Sequence, residues 1–239
     1  MQRYFNDKID NNMVTLNQDD SYHIKKVMRM KLGEKIEVVS NKICYIAEIT
    51  SLDTDNVHAR IIEKKEENPE MNIKVSLVQS LVKEQKMDFI IQKATELGVS
   101  EIIPYEATRS IIKTNGKEDK KIDRWQKIAK EASEQSKRVE IPKIKPILSL
   151  DELIQLDNYD VKILCTVREN SKNIKNVLSN VKTNDTMLIV VGPEGGFTEQ
   201  EEEKMIENGF VTVSLGNTVL RTETVALFVM SVIHYHDMR

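Results

Sequence analysis

A chain of 239 residues, 40% hydrophobic and 31% charged, has ordinary globular composition and enough length to bury a core in one large domain or two smaller ones. Its net charge of −3 does not mark a nucleic-acid partner, so the distribution of charge matters more than the total. The start MQRYFNDKIDNN has no apolar signal core, and no run approaches the ~20 apolar residues of a membrane helix; a cytoplasmic protein is expected.

Residues 1–70 read as a small β-rich domain. KIEVVSN and ICYIAEITSL form a hairpin pattern around a polar turn near Asn41, and NVHARIIEKK is a third strand. HIKKVMRMKLG reads as a short basic helix ended by Gly33. KKEENPEMN carries charge, a proline and no apolar pattern, so a linker is expected near Glu66 to Asn72. From there residues 71–239 change rhythm. VSLVQSL, EIIPYEA, VKILCTV, TMLIVVG and VTVSLG read as strands. Helices are expected at QKMDFIIQKATELGV, DKKIDRWQKIAKEASEQSKRV, TEQEEEKMIENG and ETVALFVMSVIHYH. Strands alternating with helices indicate an α/β domain with a mostly parallel sheet.

Cys44 and Cys165 lie in apolar strand-like runs with no CxxC, so buried free thiols are expected and structural zinc is not. His234 and His236 have no ligand cluster nearby in sequence, and no metal is expected. His23 opens the basic helix. From Lys113 to Lys145 there are 11 Lys/Arg against 6 Asp/Glu, a basic island in an acidic protein.

Two strand-to-helix junctions carry the chemistry. The first is LIVVGPEGGFTEQEEE, Leu188 to Glu203. Ligands of parallel sheets bind at the C-terminal strand ends, where this loop falls. It lacks the GK[ST] of a phosphate loop and the spacing of GxGxxG. Glu194, Glu199, Glu201, Glu202 and Glu203 crowd it, and Thr198 with Glu201 forms a T-x-x-E capping box that uses the free N–H groups. A neutral or cationic ligand, held through backbone atoms that glycines leave open, suits it better than an anion; a tight turn without function is the alternative. The second junction is LGNTVLRTETVALF, Leu215 to Phe228. Thr222 reads as an N-cap and Glu223 suits a helix dipole, whereas Arg221 between Leu220 and Thr222 is harder to explain structurally. The final helix is apolar on most sides, which points to core or subunit-interface burial.

GPEGGFT followed by LGNTVLRTETVAL, with ATELGVSEIIPYEATRSIIK and RWQKIAKEASEQSKRVEIPKI upstream, resembles the ribosomal RNA small subunit methyltransferase E family of the SPOUT superfamily. HIKKVMRMKLGEKIEVV is similar to that family's PUA-like RNA-binding domain. The resemblance spans nearly the whole chain; Thr218 departs from it, standing where many members have a basic residue. It implies a PUA-like β-rich domain followed by a SPOUT α/β domain with a C-terminal trefoil knot, which general topology rules would disfavour. It further implies a homodimer that binds S-adenosylmethionine in the knot and methylates N3 of uridine 1498 in 16S rRNA of the small ribosomal subunit. The cofactor is cationic at sulfur and neutral at adenine, which agrees with a carboxylate-flanked glycine loop.

On this reading the cofactor pocket draws on three strand ends: Leu164 and Thr166; Gly192, Pro193, Glu194, Gly195 and Gly196; and Leu215, Gly216, Leu220 and Arg221. Leu215 and Leu220 have a core reading as well. Arg3, Arg109, Arg124 and Arg138 are expected to bind RNA, because the family's motifs place arginines there and guanidinium suits phosphate. Uracil N3 is a poor nucleophile until it loses its proton, so the enzyme must align N3 and favour its anion. Arg221 is the expected stabiliser of charge on O2 and O4, with Arg124 or Arg138 of a dimer partner as rivals. Glu223 or Glu194 is the candidate base; holding the loops together is the alternative for both. A knotted methyltransferase acting on another RNA, and a non-catalytic RNA-binding assembly factor, are the competing functions.

Overall fold

The computed structural model describes residues 1–6, 9–53, 56–114, 116, 118–168 and 171–238. The chain forms two compact units: Met1–Glu70 with Ser133–Glu140, and Met71–Ala132 with Ile141–Arg239.

The first unit holds β1 (Arg3–Phe5), β2 (Ile9–Asp10), β3 (Met13–Thr15), α1 (Gln18–Tyr22), β4 (Lys35–Ser40), β5 (Ile43–Leu52) and β6 (Val57–Lys65). Its sheet runs β1-β4-β5-β6-β3-β2. β1 and β4 pair in parallel and the other neighbours antiparallel. Asn41 and Lys42 both take positive φ, 49° and 64°, the two-residue turn whose twist matches a hairpin. Alternation then sends Ile36 and Val38 into a core with Tyr4, Leu16, Ile24 and Val57, while Val39 packs with Cys44 and Val139. The helix expected over HIKKVMRMKLG is displaced. Asn17 caps α1 by accepting from the Asp20 N–H at 2.8 Å, so the helix starts earlier. It then widens into a single π-helical turn, His23–Val27, and stops where Arg29 adopts φ 53°.

The segment Ser133–Glu140 is held to this unit by buried charge. Arg3 has no solvent exposure; it pairs with Glu37 and Glu67 at 3.0 Å each and donates to the Lys137 and Arg138 carbonyls. Arg138 pairs with Glu70, whose other oxygen accepts from the Val139 and Glu140 N–H groups at 2.9 and 3.0 Å. Burial alone would raise the Glu37 carboxyl, but hydrogen bonds from Lys137, Lys65 and Arg3 outweigh it and hold the pKa at about 2. Glu37, Cys44 and Glu67 bring potential metal-ligand atoms within 4.8 Å of one another; both carboxylates there are engaged by Arg3 and Lys65.

The second unit contains β7 (Lys74–Ser80), α2 (Glu84–Glu96), β8 (Glu101–Tyr105), most of α3 (Glu118–Gln135), β9 (Lys143–Ile144), α4 (Leu150–Ile154), β10 (Val161–Cys165), β11 (Lys172–Asn173), α5 (Ile174–Leu178), β12 (Thr186–Val191), α6 (Glu199–Glu207), β13 (Val211–Ser214) and α7 (Thr222–Asp237). A seven-stranded parallel sheet orders them β11-β13-β10-β12-β7-β8-β9. Both faces are covered, which is why its strands read as continuous apolar runs. Leu77, Ile163 and Ile189 enter one core; Val78, Leu164, Leu188 and Val190 enter the other. Each such side chain contributes roughly 1.5–3 kcal/mol when fully buried. Along α2, Met87, Ile90, Ile91 and Ala94 fall on one buried stripe. Among the described residues no helix is long and apolar enough to cross a membrane.

Candidate active site

β13, β10 and β12 are neighbours, parallel and in register, with Cys165 level with both Val191 and Val213. Three chain segments therefore leave the sheet together at its C-terminal edge: one beginning at Thr166, one at Gly192, one at Leu215. Between them lies a cleft of about 810 Å³, bordered also by Lys86 and Arg109.

The Gly192 segment turns at once. The Gly196 N–H donates to the Pro193 carbonyl at 3.0 Å, and Gly196 takes φ 66°, a conformation costly for any residue with a Cβ. Gly192 leaves room for the Phe197 ring, which an added Cβ would approach to 3.0 Å. The turn is tied down from outside. Arg109 donates to the Gly195 and Phe197 carbonyls at 3.1 and 3.0 Å. The capping box is formed: Thr198 accepts from the Glu201 N–H and Glu201 accepts from the Thr198 N–H. Glu201 is buried, and its second oxygen accepts from the Tyr105 hydroxyl and the Thr108 N–H, both at 2.8 Å. Burial works against this carboxylate, yet the hydrogen bonds prevail and lower its pKa, while burial and Glu201 together raise the Tyr105 phenol.

The third segment is locked to the second by a buried hydroxyl. Thr222 donates to the Gly192 carbonyl at 2.6 Å and accepts from Gln79 Nε2 at 3.1 Å. It is the first residue of α7; the N-cap position belongs to Arg221, whose side chain makes no cap bond. Arg221 is exposed on the cleft. Lys86, near the start of α2, reaches Glu194 at 3.1 Å and Glu223 at 3.2 Å, joining the two loops by charge. Burial raises the Glu223 carboxyl, but its own backbone N–H, Lys86 and Arg221 lower it further, for a net fall. Thr166 donates to Glu202 Oε1 at 2.5 Å. The Cys165 thiol, buried at the cleft floor, is pushed up to about 12 by burial.

Comparison with known proteins assigns a lineage to this arrangement. Residues 69–234 match the family described as RNA methyltransferase domain, and residues 16–62 the RNA methyltransferase PUA domain. A Bacillus subtilis relative, ribosomal RNA small subunit methyltransferase E, is 38% identical over 98% of this chain and 96% of its own. The chain belongs to the ribosomal RNA small subunit methyltransferase E family. Another such methyltransferase, from Mesomycoplasma hyopneumoniae, is 35% identical, covering 97% of this chain and 98% of its own. The methyltransferase E from Neisseria gonorrhoeae, solved bound to S-adenosyl methionine, superposes with TM-score 0.89 at 30% identity, over 98% of this chain and 97% of that one.

Against this methyltransferase frame, the expected cofactor residues Thr166, Gly192, Pro193, Glu194, Gly195, Gly196, Leu215, Gly216, Leu220 and Arg221 all line the cleft. Leu164 does not. It is fully buried among Val78, Val190 and Met205 on one sheet face, and its neighbour Cys165 meets the cleft instead. The expected RNA arginines differ in their surroundings. Arg3 and Arg138 are buried in ion pairs of the first unit, with no guanidinium presented to solvent. Arg109 braces the glycine loop. Arg124 remains half-exposed on α3, paired with Glu84 and Asp88. Glu223 borders the α2/α7 groove and faces Lys86.

Lys86, Phe197, Glu202, Asn217, Val219 and Thr222 also line the cleft, and none was singled out from sequence as a cofactor residue. Glu202, four residues past Thr198, was read from sequence only as one of the carboxylates crowding the loop. Lys86 is 108 residues from Glu194, so no local pattern could join them.

Proposed function

We propose that this protein is an S-adenosylmethionine-dependent methyltransferase that modifies N3 of uridine 1498 in 16S rRNA of the small ribosomal subunit. The observation that carries the reading is the cleft between three parallel strand ends, walled by backbone of a glycine turn and bordered by carboxylates. Its fit to the cofactor is chemical. Glu194 and Glu202 favour a cationic ligand, Lys86 is already neutralised by two carboxylates, and Gly192 and Gly196 leave backbone accessible. Thr166, Gly192 to Gly196, Leu215, Gly216 and Leu220 would hold the cofactor, within loops that the family resemblance assigns to a knot. Bound there, S-adenosylmethionine supplies an electrophilic methyl group.

The residues of the chain do the rest. The N3–H bond would break with its electron pair left on N3 and its proton passed to solvent water, and the negative charge spreads to O2 and O4; as N3 forms its bond to the methyl carbon, the carbon–sulfur bond would break and leave a neutral thioether. Arg221, exposed on the cleft, meets that charge. Glu223, with a lowered pKa and a lysine partner, is better suited to holding loops than to taking the proton, so Arg221 carries the catalytic assignment and Glu223 a positioning one. A homodimer is supported by an apolar groove of about 560 Å³ formed by Phe89, Leu227, Phe228, Val232 and Tyr235 on α2 and α7, and the setting is cytoplasmic. The test is methyl transfer from labelled S-adenosylmethionine to purified small subunits lacking the modification, with the nucleoside identified by mass. N3-methyluridine is expected; label in transfer RNA or large-subunit RNA alone would replace the substrate, and absence of both transfer and cofactor binding would refute the enzyme.

A further inference from the structure

We propose that Gln79, a buried residue of β7, is a positioning residue for the cofactor loop: its amide fixes the direction in which the Thr222 hydroxyl donates, and so holds the Gly192 carbonyl. The inference rests on the assignment of the cleft to S-adenosylmethionine made above. It names a side chain that shapes the site from behind.

Stability alone does not explain Gln79. β7 lies inside the sheet, between β12 and β8, and Gln79 has no solvent exposure. It stands level with Val191 on one side and Pro104 on the other, and alternation puts it on the same face as the core residues Val75 and Leu77. Among the described residues its Oε1 is buried with no hydrogen-bond partner. An amide that gives up water for an incomplete set of bonds costs free energy, and a methionine of similar shape avoids that cost. Buried polar groups that work against stability are expected where function needs them.

The hydrogen bonds that Gln79 does make lead to the cleft. Its Nε2 donates to the Ser80 carbonyl at 3.0 Å and to Thr222 Oγ1, 143 residues away in sequence, at 3.1 Å. Thr222 Oγ1 in turn donates to the Gly192 carbonyl at 2.6 Å. The polarity of this chain is forced. A carbonyl only accepts, so the single proton of the Thr222 hydroxyl goes to Gly192, and Thr222 must accept from Gln79. Turning the amide over would set Oε1 against the Ser80 carbonyl, two acceptors at hydrogen-bond distance. One orientation remains, and both Nε2 protons are spent on it.

The carbonyl at the end of this chain controls the entrance to the glycine turn. Its peptide unit joins Gly192 to Pro193, and proline has no N–H, so the carbonyl is the sole hydrogen-bonding group on that unit. The unit is also the first to leave β12 for the cleft. Further along, the Pro193 carbonyl accepts from the Gly196 N–H, and the Gly195 and Phe197 carbonyls accept from Arg109. The exit of the turn is therefore set by its own backbone and Arg109, and its entrance by Thr222 with Gln79 behind it.

The experiment titrates the full-length chain with S-adenosylmethionine by calorimetry and follows urea unfolding of the same samples. Gln79→Met keeps the side-chain length and removes the amide. The cofactor Kd should rise roughly 2- to 10-fold, the loss of about one hydrogen bond, while the urea midpoint holds or rises. In methyl transfer the cofactor KM should rise with kcat unchanged, whereas a partly unfolded enzyme would lose kcat at constant KM. Because Gln79 acts through Thr222, the two substitutions should not add. In a Thr222→Val background, Gln79→Met should change the Kd by less than about twofold; in a Thr222→Ser background, which keeps the hydroxyl, the full rise should return. A wild-type Kd in Gln79→Met, or effects of Gln79→Met and Thr222→Val that simply add, would overturn the role of Gln79 and leave the cleft assignment standing. Gln79→Leu is the second variant where Gln79→Met does not fold, and loss of folding in both would make the amide structural and overturn the proposal. A wild-type chain that binds no S-adenosylmethionine would overturn the cleft assignment and this role with it.

Discussion

The first unit and the cleft of the second unit use the same residue types, arginine, lysine and glutamate, in opposite ways. Around Arg3 the charges are buried and closed: every cation faces a carboxylate or carbonyl. Around Arg221 they are open to solvent, and the bridge from Lys86 to Glu194 and Glu223 is partly exposed. A buried, closed cluster resists being taken apart, because removing one partner strands the others in low dielectric. An open arginine contributes little to stability and is available to a substrate. The lesson is that an arginine in a motif announces neither role until its burial is known.

That contrast is testable from its strongest side. Arg3→Met should destabilise the first unit by about 3–5 kcal/mol in urea unfolding, leaving S-adenosylmethionine binding intact; a loss well under 1 kcal/mol would erase the distinction. Arg221→Ala should do the reverse, lowering the methyl-transfer rate about 10²- to 10³-fold with an unchanged unfolding midpoint. A wild-type rate would remove Arg221 from the chemistry.

Acid should find the closed cluster as well. Glu37 has its pKa depressed from 4.5 to about 2, so its stabilisation is complete above about pH 4.5 and is lost as pH falls towards 2. The urea midpoint should drop across that window, and Glu37→Gln should flatten the drop while lowering stability at neutral pH. Thr222→Val would leave the Gly192 carbonyl and the Gln79 amide short of a partner, a loss of about 1–3 kcal/mol, read by thermal unfolding together with weaker cofactor binding. Lys86→Met should have the smallest effect, about 0.2–1 kcal/mol of stability, seen as a small drop in the urea midpoint that high salt abolishes. A large effect there would mean that the bridge organises the cleft rather than trimming it.

Much of the second unit was legible in the chain. Apolar runs marked β7, β10 and β12, the 3.6-residue stripe marked α2, and GPEGGF and LRTET marked the loops that meet at the cleft. The misses have physical causes. Leu164 and Cys165 are adjacent in an apolar strand, and a period of two sends neighbours to opposite faces without saying which face meets the cleft. The helix over HIKKVMRMKLG was displaced because Asn17 supplied a cap upstream and a left-handed Arg29 ended it well short of Gly33. The short elements β9, α4, β11 and α5 carry too few residues for a periodic signal.

The sequence by itself determined the alternation of strands and helices, the capping box at Thr198 and Glu201, and the glycines that make the tight turn at the cleft possible. These depend on neighbours a few residues apart, where side-chain chemistry and backbone geometry act directly. Only the tertiary structure decided that Arg3 and Arg138 would be interior, that Ser133–Glu140 would belong to the first unit, and that Lys86 would bridge Glu194 and Glu223. Each of those outcomes depends on desolvation and on partners that chain folding brings from more than 60 residues away, and no local pattern encodes how much water a charge will keep.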